Sequence, residues 1–256
     1  MPEDLRAFAS DDRPPSGLLL AAAAASAHPS SDRSVIGWRF PALPAAPAET
    51  ARATWGITIT SDDTGVDPRD GAGFSTLLAH ARSEQIVRAL ARHTNLVLPA
   101  ATALVVGDGP IAETIADALS SGGTRVVRAA DAALARLRAH LGGLRITTPT
   151  APWPPADLVI TTGEGHAPLD PATFGSVAID ASIDSTGLTA SAGEEVRPFV
   201  RRVGAHSWVT AAPGPFDAGD GAPDRPNRLA DLLVALSILH TRTDAADARL
   251  AELVLA

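Results

Sequence analysis

Apolar and polar positions along the chain change rhythm near its middle. From residue 74 to 93 apolar side chains return at helical spacing (Leu77, Leu78, Ala81, Ile86, Leu90), which predicts one helix or a broken pair leading into the next strand. Beyond it, short and nearly unbroken apolar runs alternate with helical stretches. Residues 103–106, 124–128, 156–161 and 176–180 read as strands. Between them, 110–120 and 131–141 read as helices, the second with Asp131 as N-cap and Gly142 at its end, and a short helical turn is expected near Pro171. Strands this uniformly apolar are buried on both faces. The pattern therefore predicts an α/β fold with a Rossmann-like, doubly wound parallel sheet.

The flanks differ. Residues 1–72 are rich in Ala and Pro and predict a small N-terminal α+β region, with strand-like pieces at 35–40 and 55–60 joined by Pro41, Pro44 and Pro47. Residues 73–256 form the Rossmann-like domain with its C-terminal helices. Those helices, in 227–256, carry Leu229, Leu232, Leu233, Leu236 and Leu239, then Leu250 and Leu253, and pack on the sheet or on a second subunit, which admits a homo-oligomer. Residues 62–71 hold four aspartates without the spacing of a calcium loop and read as a solvated loop; no metal is expected. Residues 211–223 are a Pro/Gly loop, either a lid or a connection. The acidic start and the short apolar run at 18–25 predict a cytoplasmic protein with no membrane span.

Composition then removes whole classes of chemistry. The chain has no Cys, no Tyr and no Lys, so all 21 cations are Arg. Disulfides, thiolate ligands and nucleophiles, Schiff bases and P-loop lysines are excluded. The net charge of -8 gives no basic footprint for nucleic acid.

The chemistry that remains centres on a glycine turn. Gly107-Asp108-Gly109-Pro110-Ile111-Ala112 follows a strand and opens a helix, the setting in which G-x-G-x-x-A holds a dinucleotide pyrophosphate. Gly107 permits the turn, Gly109 admits the phosphate to the backbone, and Ala112 lets helix and strand approach. The helix amides and dipole attract the anion, and Pro110 lacks only a donor that a first helical position does not use. A ribose-binding acid is expected about 20 residues on. Ala130 stands there, with Asp131 next to it and Arg128 suited to a 2′-phosphate, so the cofactor is NAD, with NADP open.

From about residue 74 to 184 the chain resembles the NAD-binding domain of S-adenosylhomocysteine hydrolase and, more loosely, D-2-hydroxyacid dehydrogenases. The resemblance rests on Ser83-Glu84-Gln85-Ile86-Val87-Arg88-Ala89-Leu90 with Thr94-Asn95, on the glycine turn, and on Thr124-Arg125-Val126-Val127 with Gly142-Gly143. It implies that Thr161-Thr162-Gly163 touches the nicotinamide side of the cofactor and that Asp180, in Ala178-Ile179-Asp180-Ala181-Ser182, closes the next strand end. The departures limit it to the cofactor domain. Where that family has a lysine and an asparagine, Gly73-Phe74-Ser75-Thr76 stands, and its ribose acid is Ala130. The family's C-terminal lysine and tyrosine cannot occur, so hydrolase activity is not expected.

Acid/base candidates are weaker. His166 with Glu164 follows a parallel strand end, where ligands bind in such sheets; His206 is a further candidate, and His80, His93 and His140 read as solvated. No catalytic residue is assigned. Three readings stand: a dinucleotide-dependent oxidoreductase of unknown small-molecule substrate, an S-adenosylmethionine-dependent methyltransferase, or a noncatalytic partner-binding Rossmann protein.

Overall fold

The computed structural model describes residues 35–37, 48–49, 52–53, 58–60, 71–150, 152–190, 193–214, 236 and 247–248. The chain divides into two compact units, Ala79–Pro215 and Met1–Leu78 with Phe216–Ala256. In the latter, strands β1 (Val35–Gly37) and β2 (Thr58–Thr60) pair in parallel, Val35 opposite Thr58. There the Gly73 N–H donates to Asp247 Oδ2 at 3.1 Å. The loop expected at 62–71 lies outside the described residues except for Gly71, and the two C-terminal helices do so except for Leu236, Asp247 and Ala248.

Helix α1 (Ala72–His93) is continuous and enters the larger unit at Ala79. After it come strand β3 (Thr102–Val106), helix α2 (Pro110–Ser121), strand β4 (Arg125–Ala129), helix α3 (Ala133–Leu141) and strand β5 (Arg145–Thr147). Strands β6 (Leu158–Thr161), β7 (Val177–Asp180), β8 (Glu194–Arg197), β9 (Val200–Arg202) and β10 (Trp208–Thr210) complete the sheet, and a 3-10 turn, Pro171–Thr173, stands where one was expected.

The strands lie in the order β5-β4-β3-β6-β7-β10-β9-β8. From β5 to β10 every neighbour is parallel, so the six run in the 3-2-1-4-5-6 order of a dinucleotide-binding sheet. This is a Rossmann-like α/β fold. One correction applies to its edge, because β9 pairs antiparallel with both β10 and β8, and the sheet is mixed. The three-residue β5 and the polar strands β8 and β9 have no apolar run that would announce them.

Side-chain alternation on the strands builds two cores. Val105, Ile160 and Ile179 pack with Ile86 and Leu90 of α1 and with Ile111, Ile115 and Leu119 of α2. Leu104, Val106, Val127, Val159 and Ala178 face the other way, against Trp153, Leu169 and Phe174. The chain leaves β3 toward β4 and β5 on one side and crosses to β6 on the other. Between the carboxyl ends of β3 and β6 it therefore leaves a crevice, the switch point where such sheets bind ligands.

Among the described residues no helix is long and apolar enough to cross a membrane, and no cluster of His, Asp or Glu could hold a metal ion.

Candidate functional site at the switch point

The turn after β3 is built for close approach. Gly107 has φ +145°, and a Cβ there would stand 2.1 Å from Thr162 Oγ1. Its N–H donates to Ala129 O at 3.0 Å, which ties the turn to the end of β4. Gly109 caps α2 in an extended conformation with Pro110 in the first turn, as expected.

The first amides of α2 have a partner. Glu164, in the loop after β6, accepts hydrogen bonds from Ile111 N at 3.2 Å through Oε1 and from Ala112 N at 3.0 Å through Oε2. A Cβ on Gly109 would lie 2.2 Å from Glu164 Oε1, so it is the missing side chain at Gly109 that admits the carboxylate. The loop itself is held down, with Asp108 N donating to Glu164 O at 2.8 Å. Gly163 and Gly165 flank the glutamate at φ +70° and +76°, which lets the chain fold back over the turn.

Burial pushes the Glu164 carboxyl above the usual glutamate range, against the pull of the Ala112 and Ile111 amides, the Thr162 hydroxyl and the Arg128 charge. Arg128, two residues beyond Val126 on β4, lies on the face of the sheet that α2 covers. It is 3% exposed, and its Nη1 has no hydrogen-bond partner. Burial lowers its pKa, while Glu164 first, then Glu113, Asp108 and Asp117, hold its charge in place.

A second carboxylate works at the end of β4. Asp108 accepts from Asp131 N at 2.8 Å and from Ala132 N at 3.1 Å. The N-cap of α3 is Ala132, which has no capping side chain, and not Asp131. Asp131 is exposed, and Asp108 of the glycine turn holds the two amides that lead into the helix. Substituting Asp108→Ala should therefore destabilise the protein by about 1.5–3 kcal/mol in urea unfolding, the usual contribution of a hydrogen bond to a charged group. An unchanged midpoint would show that Asp108 does not hold the entry to α3. Ala130 is fully buried, and its amide donates to Thr147 O at 3.1 Å.

The strand ends on the other side of the crevice are tightly bonded. Thr162 donates through both N and Oγ1 to Val106 O, while Thr161 Oγ1 is buried with no partner. Asp180 accepts from Ser182 N and Oγ at 2.9 and 2.6 Å through Oδ1, and from Leu188 N at 3.1 Å through Oδ2. Its carboxylate thus shapes the loop after β7. Arg82 of α1, a residue no sequence motif marks, donates from Nε to Ala181 O and from Nη2 to Ser182 O at 2.9 and 3.1 Å, and so fixes the same strand end.

Glu164 and His166 do not form an acid/base pair. His166 Nε2 accepts from Gly163 N at 3.2 Å, which leaves Nδ1 to donate to Ala167 O at 2.8 Å; both ring nitrogens serve the loop. His206 is exposed. His93, expected to be solvated, is half-buried with its ring 4.5 Å from that of Phe199.

No protein-family model matches the sequence, and no curated protein does. Among solved structures, the chain is similar to a dipicolinate synthase subunit from Bacillus halodurans, at 13% identity and TM-score 0.43 over 78% of this chain and 63% of that one. A dipicolinate synthase chain from Bacillus subtilis matches at 16% identity and TM-score 0.44, over 81% and 62% of the two chains. An L-alanine dehydrogenase matches at 17% identity and TM-score 0.44, over 70% and 58%. The chain thus spans about three-fifths of the length of the two synthase chains.

Proposed function

We propose that the unit Ala79–Pro215 is a dinucleotide-binding domain for NAD or NADP, resembling the cofactor domain of adenosylhomocysteinase without its hydrolase activity. The pyrophosphate lies over Gly107, Asp108, Gly109, Pro110 and Ile111. The adenosine ribose lies near Arg128, Ala130 and Asp131, and the nicotinamide end near Thr161, Thr162, Gly163 and Asp180. One observation carries this reading: two α2 amides at the switch point converge on a carboxylate, an oxyanion held where a phosphate belongs. The phosphate end fits such a group through the Gly107 and Gly109 cradle, the α2 amides and the buried Arg128 charge. When bound, a nicotinamide supplies hydride transfer, and the protein's part is to bind and orient it.

A noncatalytic Rossmann protein is the second reading, favoured by the same occupancy, since Glu164 and Asp108 satisfy the amides that a ligand would use. Calorimetric titration with NAD, NADP and S-adenosylmethionine separates the readings. Saturable binding of NAD or NADP is expected. Binding of S-adenosylmethionine alone, or of none of the three even when Glu164 is replaced, would overturn the proposal.

A further inference from the structure

The carboxylate on α2 comes from the chain itself. Glu164 stands on a loop with a left-handed glycine on either side, and its main chain is pinned over the turn by Asp108 N at 2.8 Å and by Thr162 Oγ1 at 3.4 Å. Its side chain thereby falls on the Ile111 and Ala112 amides. Gly165 packs against the turn as well, since a Cβ there would lie 2.6 Å from Asp108 Oδ2. On the face of β4 that α2 covers is Arg128, a buried cation with an unpartnered Nη1, on which Glu164 acts more strongly than any other carboxylate. The α2 amides and the buried guanidinium, on which Glu113, Asp108 and Asp117 also act, together hold an oxyanion at this place.

We infer that Glu164 is an internal stand-in for phosphate: it closes the site in the free protein, and a phosphate-bearing ligand binds only by displacing it. The identity of that ligand as a nicotinamide dinucleotide rests on the function proposed above. A ligand whose competent state is populated only in part binds more weakly by that fraction. The two amide hydrogen bonds and the pinned loop make the closed state dominant and lower the apparent affinity roughly ten- to a hundredfold.

The displacement also carries a proton. In the closed loop Glu164 faces the α2 amides, the Thr162 hydroxyl and Arg128 of β4, while Glu113 and Asp117 of α2 and Asp108 of the turn act on the same guanidinium. Burial holds the proton on closed Glu164 above the usual glutamate range, and opening the loop to water releases it. Protons thus favour the closed state, and ligand binding tightens as pH rises through the window between the ordinary glutamate range and the raised value.

The test is calorimetry with NAD, NADP and inorganic pyrophosphate on the full chain and on its Glu164→Gln and Glu164→Ala variants, each checked for folding by thermal melting. Both variants should bind dinucleotide and pyrophosphate roughly ten- to a hundredfold more tightly than the parent, with the parent's acid-side pH dependence gone. Equal dinucleotide and pyrophosphate affinities in all three proteins would overturn the stand-in and leave the proposed function standing. Pyrophosphate bound more tightly by the variants, with no dinucleotide bound by any protein, would support the stand-in and overturn the nicotinamide reading. No binding of either ligand to any of the three would overturn both.

Discussion

Gly107→Ala should destabilise the α/β unit by about 2–4 kcal/mol, measured as a shift in the urea midpoint at unchanged slope. Two costs combine. The residue holds φ +145°, which an L side chain rarely adopts, and the new methyl would stand 2.1 Å from Thr162 Oγ1. Thr162 cannot yield freely, because its hydroxyl donates to Val106 O inside the sheet. The double variant with Thr162→Ala should recover the overlap and keep the backbone strain, so its loss should fall between those of the parent and Gly107→Ala. A stability loss under about 0.5 kcal/mol in Gly107→Ala would mean that the turn relaxes without cost, and the description of a rigid cradle would fail.

Arg128→Met should leave stability nearly unchanged and harm binding. A guanidinium that is 3% exposed with an unpartnered Nη1 has lost its hydration and recovered little of it from hydrogen bonds. Removing the charge ends its desolvation cost but also takes the nearby cation from buried Glu164, so the two effects offset and the net change should stay within about 2 kcal/mol. Glu164 keeps its two amide donors in the variant. Phosphate affinity, measured with inorganic pyrophosphate, should fall roughly ten- to a hundredfold, since one hydrogen bond to a charged group contributes roughly 1.5–3 kcal/mol. Destabilisation by more than about 2 kcal/mol would show that Arg128 holds the fold together, and its assignment to the anion site would be wrong.

Much of the fold was legible because its signals are local. The apolar runs at 103–106, 156–161 and 176–180 each mark a central strand, and the glycine turn directly follows β3. The sheet edges were not legible. β5 is three residues long with an exposed Arg145, and β8, Glu194–Arg197, is exposed throughout, so neither has an apolar period to read. In the site, the limit was distance along the chain. Glu164 meets the α2 amides from 53 and 52 positions away, and Asp108 reaches the start of α3 from 23 and 24, contacts that exist only once the parallel sheet aligns the strand ends. The expectation that Asp131 caps α3 followed sound local preference and failed for that reason.

The most direct test of the site is to follow the backbone amide resonances of Gly109, Ile111 and Ala112 while NAD or NADP is titrated into the Glu164→Gln protein. These amides, next to Glu164 in the free protein, should move saturably and together, with one dissociation constant shared with Arg128. Saturable binding that moves other resonances and leaves these amides still would contradict the proposed site.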